Sequence, residues 1–346
     1  MNQSMIRELL TAQLHADTVK IDEEMKRHTT FRIGGPASVF VEVADEENLV
    51  EAVKICRQEQ VPFFILGNGS NLLVSDEGYA GVVLHIGTGM RNITVEDTQI
   101  TAQAGTMLSQ VAHAALEHSL TGMEFAAGIP GSLGGACMMN AGAYGGEMSQ
   151  ILTSVRALNP DGEIVDLLAE QLDLGYRHSM MMEKNYIVLS AKIHLKTGDP
   201  TAIRARMDEL KEQRTSKQPL DMPSAGSTFK RPEGAFAGKL IMDAGLRGYR
   251  VGDAMVSEKH CGFVVNAGHA TAKDVCELIK NVHDIVDEKF DQKLVPEIRF
   301  LGFDHKAYTD RILKKSTGRW SITQSPGPVW FALKKKDERQ AKVRRR

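Results

Sequence analysis

The chain has little cysteine and no long apolar run, and each shortage excludes a class of protein. Its four cysteines lie far apart in 346 residues without a CxxC pair, which argues against a disulfide framework or cysteine-bound zinc and fits a reducing cytoplasm. The eleven histidines show no HxxxH or HExxH spacing, so we expect no metal. No stretch has the apolar length of a membrane helix. The first 20 residues carry charges throughout and predict a helix, not a signal peptide.

Glycine, by contrast, is concentrated in one segment of the chain. Residues 122–147 read GMEFAAGIPGSLGGACMMNAGAYGGE, with eight glycines and two charged residues. A flexible linker would be rich in serine and charge, so this composition favours a backbone pressed against a neighbour at φ values that other residues avoid. The N–H groups around Gly131 and Ser132 could then face an anion. A tight, buried cluster of turns is the alternative interpretation.

A second glycine-rich loop strengthens the interpretation of an anion site. Residues 61–66 predict a short apolar strand that runs into Gly67-Asn68-Gly69-Ser70-Asn71. A dinucleotide-binding GxGxxG motif fails here, because Leu72 occupies the third glycine position and no helix pattern follows. What remains is a loop of backbone donors that could cradle a pyrophosphate. Asn-Gly is also ordinary turn chemistry, so this loop alone is a weak signal.

The spacing of apolar residues indicates a mixed fold. Composition is ordinary for a soluble globular protein, with 42% hydrophobic and 25% charged residues, and the length allows two domains. Helical spacing covers residues 46–58, 107–120, 201–213 and 272–290. The runs between helices show no regular βαβ alternation, so we expect an α+β fold. The predicted strands are 39–43, 63–66, 82–86, 93–95, 154–158, 164–168 and 187–190. The pattern changes near residue 198, where we place a domain boundary, with the later helices covering a separate small core.

Seven short motifs follow one another between about residue 20 and residue 303. They are 28–35 (HTTFRIGG), 66–73 (LGNGSNLL), 128–135 (GIPGSLGG), Tyr176-Arg177, 224–230 (SAGSTFK), 256–260 (VSEKH) and 296–299 (PEIR). Together they resemble one enzyme family, the UDP-N-acetylenolpyruvoylglucosamine reductases. Because several independent motifs agree, the resemblance is specific.

The resemblance implies a fold and a cofactor. A two-part FAD-binding domain of the PCMH/vanillyl-alcohol-oxidase type would span residues 1–197, including an N-terminal helix over 1–20. A smaller α+β substrate-binding domain would span 198–303, followed by a basic extension over 304–346. FAD would be held non-covalently by the glycine-rich segments. The implied cofactor-binding residues are Gly67, Asn68, Gly69, Ser70, Asn71, Gly128, Ile129, Pro130, Gly131, Ser132, Gly134, Gly135, Asn140, Gly142 and Ala143.

The resemblance also implies a reaction and three catalytic residues. With NADPH as co-substrate, such an enzyme reduces the enolpyruvyl ether of a UDP-sugar to the lactyl ether of UDP-N-acetylmuramate, a step in peptidoglycan synthesis. Hydride from flavin N5 would add to the terminal methylene carbon and leave an enolate next to the ether oxygen. Arg177 would stabilise the growing charge as a bidentate donor, Glu297 would donate a hydrogen bond as a neutral acid, and Ser227 would supply the proton.

Four further residues are implied for the UDP-sugar, namely Tyr176, Lys230, Lys239 and Tyr249. The two lysines, with Arg231, form a basic set suited to a diphosphate, although a solvated positive surface is the alternative for each. Two other functions stay open. One is another FAD enzyme of the same flavin fold, such as an oxidase of sugars or alcohols. The other is a flavin- or UDP-sugar-binding regulator without turnover.

The last 44 residues differ in charge from the rest of the chain. From Phe303 onward there are 13 Lys and Arg against 4 Asp and Glu, whereas the preceding 302 residues have a net charge of −11. Two clusters, 334–336 and 344–346, could contact nucleic acid or an anionic membrane surface. A solvated tail with few ordered contacts is the interpretation that we favour.

Overall fold

A computed structural model describes residues 3–14 and 18–303 of the chain. The basic extension predicted over 304–346 lies outside these residues. Helices and strands are interspersed, as expected for an α+β fold. The helices are α1 Gln3–Gln13, α2 Glu46–Gln58, α3 Leu108–Glu117, α4 Leu133–Met138, α5 Met180–Glu183, α6 Pro200–Lys217, α7 Ala237–Asp243 and α8 Ala272–Phe290.

The strands form three larger sheets and three two-stranded pairs within the described residues. They are β1 Val19–Glu24, β2 Pro36–Glu42, β3 Phe63–Leu66, β4 Leu72–Val74, β5 Tyr79–His85, β6 Ile93–Glu96, β7 Gln99–Gln103, β8 Leu120–Thr121, β9 Gly142–Ala143, β10 Gly146–Glu147, β11 Leu152–Leu158, β12 Ile164–Leu168, β13 Ile187–His194, β14 Lys196–Thr197, β15 Ser224–Ser227, β16 Arg250–Val251, β17 Ala254–Val256, β18 Phe263–Asn266 and β19 Arg299–Leu301.

Two sheets build the first part of the molecule. The first has the order β1-β2-β5-β3, with β2, β5 and β3 parallel and β1 antiparallel at the edge. Its parallel strands are apolar and largely buried, as expected of strands covered on both faces. The second has the antiparallel order β12-β11-β13-β7-β6. One hydrophobic core joins side chains of both sheets with those of α2, α3 and α4, so the predicted two-part domain is confirmed.

A third sheet, β15-β18-β17-β16, forms a smaller unit with α7 and α8. Its core includes the apolar face of α8, and Phe31, Ile33 and Leu73 of the first part insert into the same core. Asp76 of the first part accepts hydrogen bonds from the N–H groups of Ala272 and Lys273 at 2.7 and 3.0 Å. The two parts therefore share apolar and polar contacts.

The chain returns to its first part at the end of the described residues. Strand β19 pairs in parallel with β4, with Arg299 opposite Leu72 and Leu301 opposite Val74. Since β4 directly follows the loop 67–71, this pairing brings the residues just before β19 next to that loop. The N–H group of Arg299 donates to the carbonyl of Asn71 at 2.9 Å.

Two predictions about secondary structure are wrong. The N-terminal helix does not extend over 1–20: it ends at Gln13, and β1 begins at Val19 because residues 19–24 pair antiparallel with β2. Helix α6 does not contribute to the smaller core, since Ile203 and Met207 pack in the core of the first part. The domain boundary near residue 198 stays untested, and we propose from this packing that it falls after α6.

Within the described residues, no helix has the length and hydropathy needed to cross a bilayer.

Candidate functional site

The two glycine-rich loops predicted to bind a cofactor lie against each other. The amide Nδ2 of Asn68 donates to the carbonyl of Pro130 at 2.6 Å. A Cβ atom on Gly67 would lie 2.4 Å from Oγ of Ser132, so no larger residue fits there without a shift of that side chain. A Cβ on Gly131 would meet nothing closer than 3.8 Å. Close approach on one side and open space on the other together form a shallow cradle.

Gly69 contacts the motif 28–35, which therefore lies beside the same two loops. Its φ is +60°, and a Cβ atom there would lie 2.0 Å from the carbonyl oxygen of His28. The N–H group of Thr30 also donates to the Gly69 carbonyl at 3.2 Å. Glycine is therefore required both for its backbone conformation and for this contact.

Backbone donors in the cradle are available to a ligand. Among residues 3–14 and 18–303, the N–H groups of residues 67–70 and of Gly131 and Ser132 find no protein acceptor. By contrast, Leu133 and Gly134 donate to the carbonyls of Thr106 and Ala104 at 2.8 and 2.9 Å, so this part of the predicted cofactor loop is used for packing. Unpaired N–H groups in a small-residue concavity suit a diphosphate, and these loops thus fit the pyrophosphate of FAD.

Asn140, another predicted cofactor residue, is turned into the protein. Its side chain is 1% exposed, Oδ1 accepts from the N–H group of Ser149 at 2.8 Å, and Nδ2 donates to the Gly175 carbonyl at 3.2 Å. Its amide therefore bonds to protein groups at both ends. Gly142 and Ala143 lie in the hairpin β9–β10 that follows.

Arg214 is a residue near this cradle that the sequence reasoning missed. It lies on α6, half-buried, and a Cβ on Gly128 would be 3.0 Å from its Cδ and 3.6 Å from Nη1. Within the described residues no carboxylate lies within ion-pair distance of it, and burial lowers the pKa of its guanidinium. A cation held against the glycine loop without a counter-ion suits an anionic ligand. Apolar spacing did not indicate this contact, because it predicted that α6 would cover the smaller core and not pack on the first part.

The predicted catalytic residues Arg177 and Glu297 are in direct contact. Arg177 Nε lies 2.6 Å from Oε1 of Glu297, and the two side chains are only 22% and 9% exposed. The hydroxyl of Tyr176 donates to the other carboxylate oxygen at 3.4 Å. Residues 120 positions apart thus form one cluster, and Glu297 pairs with Arg177.

This cluster opens into a cavity of about 530 Å³ at the junction of the two parts. Ser227 lies in the same cavity and is exposed to it. The volume lies in the range typical of small-molecule sites. The lining residues are Tyr176, Arg177, Ser227, Phe229, Arg231, Phe236, Ala237, Gly238, Lys239, Met242, Arg247, Lys259, His260, Cys261, Gly262 and Glu297.

Local backbone geometry positions Ser227 and Glu297. Gly226 has a φ of +76°, and its irregular pairing with β18 turns the chain so that Ser227 faces the cavity. Glu297 is held from both parts: its N–H group donates to Thr228 at 2.8 Å, and its carbonyl accepts from Nδ2 of Asn71 at 3.3 Å. The cofactor loop 67–71 therefore directly supports the backbone of the acid.

The predicted substrate residues are divided by the structure. Lys239 and Tyr176 line the cavity. Lys230 is half-buried and is not part of the lining; burial and then the nearby Arg299 guanidinium lower the pKa of its ammonium group, and the Glu297 carboxylate of the cavity opposes this shift. Tyr249 packs on the core of the smaller part, and its hydroxyl accepts from Asn281 on α8 at 3.2 Å. Neither Lys230 nor Tyr249 is among the residues that line this cavity, and their contacts with the substrate stay predictions.

Apart from Arg231, which was predicted as part of the basic set, several cavity residues had not been assigned a role. Arg247 and Lys259 add positive charge, and Arg231 lies over the ring of Phe236 at 4.1 Å. His260 Nδ1 accepts from the N–H group of Gly262 at 3.1 Å, and burial lowers the pKa of the ring. The motif 256–260 was a signal for this edge of the cavity, but spacing alone did not show which of its side chains point inward.

Comparison with known proteins agrees with this architecture. Residues 37–168 match the family model described as "FAD binding domain", and residues 218–301 match "UDP-N-acetylenolpyruvoylglucosamine reductase, C-terminal domain". The fold and the site thus define an FAD-dependent oxidoreductase with a separate C-terminal unit.

Curated relatives and a solved structure narrow the class to one family. Reductases of this name from Clostridium perfringens (strain SM101) and Agathobacter rectalis are 50% and 52% identical over 88% and 87% of this chain, and over 100% and 99% of their own lengths. The crystal structure of the reductase MurB from Thermus caldophilus matches with a TM-score of 0.71 and 37% identity, over 82% of this chain and 98% of that one. The chain belongs to the UDP-N-acetylenolpyruvoylglucosamine reductase family.

Proposed function

We propose that the protein uses NADPH to reduce the enolpyruvyl ether of UDP-N-acetylglucosamine to UDP-N-acetylmuramate, in the cytoplasm, for peptidoglycan synthesis. The observation that carries this proposal is the convergence of Arg177, Glu297 and Ser227 on one cavity whose wall is supported by the loop 67–71. A charge stabiliser, an acid and a hydroxyl are the protein groups that addition of hydride and a proton to an enol ether requires.

The glycine cradle supplies the cofactor site. The free N–H groups of residues 67–70, Gly131 and Ser132 would hold the diphosphate of FAD, and Arg214 would balance its charge. When bound, FAD accepts a hydride from NADPH and passes it to the substrate.

Arg177 and Glu297 would handle the charge that develops on the substrate. In the structure they neutralise each other at 2.6 Å. A substrate carboxylate entering the pair would accept from the Arg177 guanidinium, and an ionised Glu297 would repel it. Glu297 would then donate a hydrogen bond to a carboxylate oxygen as negative charge grows there.

Ser227 would deliver the proton. Hydride addition to the methylene carbon makes a methyl group and leaves an enolate carbon attached to the ether oxygen. The hydroxyl of Ser227 gives its proton to that carbon, which completes the lactyl group and fixes its configuration. General acid catalysis of this kind contributes on the order of 10²- to 10⁴-fold.

The rest of the cavity suits a nucleoside diphosphate. Arg231, Lys239, Arg247 and Lys259 line the same cavity as the acid cluster, and the Arg231–Phe236 pair offers a flat apolar and cationic face. Positively charged groups of this kind favour phosphate binding.

Stopped-flow absorbance of the bound flavin tests the proposal. NADPH is expected to bleach the wild-type flavin, and the UDP-enolpyruvyl sugar is expected to restore its colour. In Ser227→Ala, bleaching is expected to persist while reoxidation by the sugar slows by about 10²-fold or more. Ser216→Ala, which removes an exposed hydroxyl on α6, is the matched control and is expected to match the wild type.

Each contrary outcome identifies a different error. Normal reoxidation in Ser227→Ala removes this serine from the mechanism. Rapid reoxidation of the wild type by oxygen alone, with no response to the sugar, indicates an oxidase. Binding of flavin and UDP-sugar without any change in colour indicates a regulator.

A further inference from the structure

The turn that carries Arg177 has an unusual backbone. Gly175 and His178 form an isolated antiparallel bridge with hydrogen bonds of 3.1 and 3.2 Å in both directions, which leaves Tyr176 and Arg177 as the two residues of a tight turn. Arg177 has a φ of +54°. That position of such a turn favours glycine, and a non-glycine residue held in this region persists only when its surroundings determine it.

A part-buried and a buried hydrogen bond hold this turn, one on each side. On the near side, Nδ2 of Asn140 donates to the Gly175 carbonyl at 3.2 Å. On the far side, Oγ of Ser179 donates to the Met138 carbonyl at 2.6 Å. Both side chains are almost fully enclosed, at 1% and 0% exposure. Because both side chains are enclosed, these bonds constrain the turn more than bonds of exposed side chains would.

The two groups that hold the turn, the Asn140 amide and the Met138 carbonyl, lie on the same short segment of the first part. Met138 ends α4, Asn140 follows two residues later, and α4 itself begins directly after the cofactor loop 128–132. The Ser149 N–H group fixes the orientation of the Asn140 amide by donating to Oδ1 at 2.8 Å. The turn of Arg177 is therefore attached to the segment that leaves the cofactor cradle.

We propose that Asn140 and Ser179 are positioning residues that hold the Arg177 guanidinium in register with the cofactor cradle. Neither residue lines the cavity. Their effect on the reaction passes through the Arg177 turn. This assigns Asn140 a role other than the cofactor contact predicted from its motif. The inference rests on the proposed function, because the reaction that Arg177 serves is part of that proposal.

Two variants test the proposal by different chemistry. Asn140→Asp keeps the acceptor for Ser149 and tolerates the positive φ of this position, but it loses the donor to Gly175. Ser179→Ala removes the bond to Met138 without adding charge. In each, reoxidation of the reduced flavin by the UDP-enolpyruvyl sugar is expected to slow on the order of 10²-fold, the effect of a misplaced catalytic group. Bleaching by NADPH and the dissociation constant of FAD are expected to stay within about twofold of the wild type.

A double-mutant cycle with Arg177→Ala separates positioning from general damage. If both residues act through Arg177, adding Asn140→Asp or Ser179→Ala to Arg177→Ala slows reoxidation no further. Ser179 also caps α5 through the Met182 N–H group at 3.2 Å, so its variant loses some thermal stability. Asn159→Asp is the matched control. Asn159 is also a buried asparagine whose Oδ1 accepts from a backbone N–H, that of Glu163, and it has no hydrogen bond to the turn that carries Arg177. It is expected to lower thermal stability and leave reoxidation unchanged.

Three outcomes would overturn the inference. The first is unchanged reoxidation in both variants, the second is equal slowing in the presence and absence of Arg177, and the third is a parallel loss of NADPH bleaching. A wild-type enzyme that is bleached but not reoxidised by the sugar would instead contradict the proposed function. For a variant that folds poorly, the other variant gives the decision.

Discussion

The proposed cofactor cradle and the proposed catalytic cavity adjoin each other, but the first is formed mainly by main-chain atoms and the second by side chains. The cradle consists mainly of main chain: Gly69 approaches the His28 carbonyl so closely that no side chain fits there, and the N–H groups of residues 67–70, Gly131 and Ser132 are left for a ligand. The cavity consists of side chains, including an arginine–glutamate pair, a serine and several cations. Binding in the cradle would depend on the shape of the backbone. Binding in the cavity would depend on charge and on the orientation of each side chain.

The largest effect is expected from filling the cradle, with Gly69→Ala. A Cβ there lies 2.0 Å from the His28 carbonyl, so the backbone of one loop must move. We expect FAD affinity to fall by at least about 100-fold, or about 2.7 kcal/mol. Titration of the apoprotein with FAD, followed by flavin fluorescence, measures this.

Gly234→Ala is the control for Gly69→Ala. Gly234 has a similar φ of +69°, but a Cβ there meets nothing within 4 Å. It therefore has the same conformational penalty of about 1–2 kcal/mol without the collision. Equal FAD affinity in the two variants would mean that the cradle tolerates side chains and that the comparison is mistaken.

A smaller effect is expected where charge enters the cradle. Arg214→Gln removes the cation beside Gly128, and we expect FAD to bind about 10- to 100-fold more weakly, the loss of one charge-assisted contact. The deficit is expected to shrink at high salt, because the wild-type contact is then screened. Arg204→Gln, an exposed arginine on the same helix, is expected to bind FAD normally. If Arg214→Gln also binds FAD normally, the cradle holds its anion through backbone alone.

The smallest effect concerns pH, and it belongs to the cavity. Burial holds the pKa of His260 below its ordinary 6.5, so the unfolded chain binds this proton more readily than the folded one. The contribution of the neutral His260 ring to folding stability is therefore fully present above about pH 6.5, and it is lost as the pH falls toward the pKa of the folded state. Thermal unfolding between pH 8 and pH 5.5 is expected to show a smaller shift in His260→Asn than in the wild type.

The His260→Asn variant has an exposed counterpart. Its amide oxygen can still accept from Gly262, so the loop keeps its hydrogen bond. His194 is exposed, and His194→Asn is expected to leave the wild-type pH dependence of the midpoint unchanged. A midpoint shift in His260→Asn equal to that of the wild type would show that the cavity histidine does not contribute.

The same contrast explains what the sequence could predict. Helix α2 was predicted at its observed bounds, since an N-cap aspartate, Asp45, and local apolar spacing define it. The cradle was recognisable because glycine reports directly on the backbone. Strand β1 was missed because its partners, Val39 and Val41, are distant from it in sequence, and only pairing makes a polar segment a strand.

The candidate site was predictable as a set of residue types but not as an arrangement. Arg177 and Glu297 came from separate motifs, and nothing local indicates that they would meet. The same motifs predict substrate contacts for Lys230 and Tyr249, which stay predictions: Lys230 lies near both Arg299 and Glu297, and Tyr249 bonds to Asn281 on α8. Arg214 was missed because its helix packs on the part of the molecule that precedes it.

The pairing of β19 with β4 bears on how the protein is made. A ribosome releases both glycine loops early, so the first part can begin to fold while the remaining residues are still being synthesised. Glu297 and the strand that anchors it come almost last among the described residues. A message truncated before codon 297 therefore yields a chain that retains both loops and lacks the acid partner of Arg177. If Glu297 acts as proposed, catalytic activity shows that translation has passed codon 297.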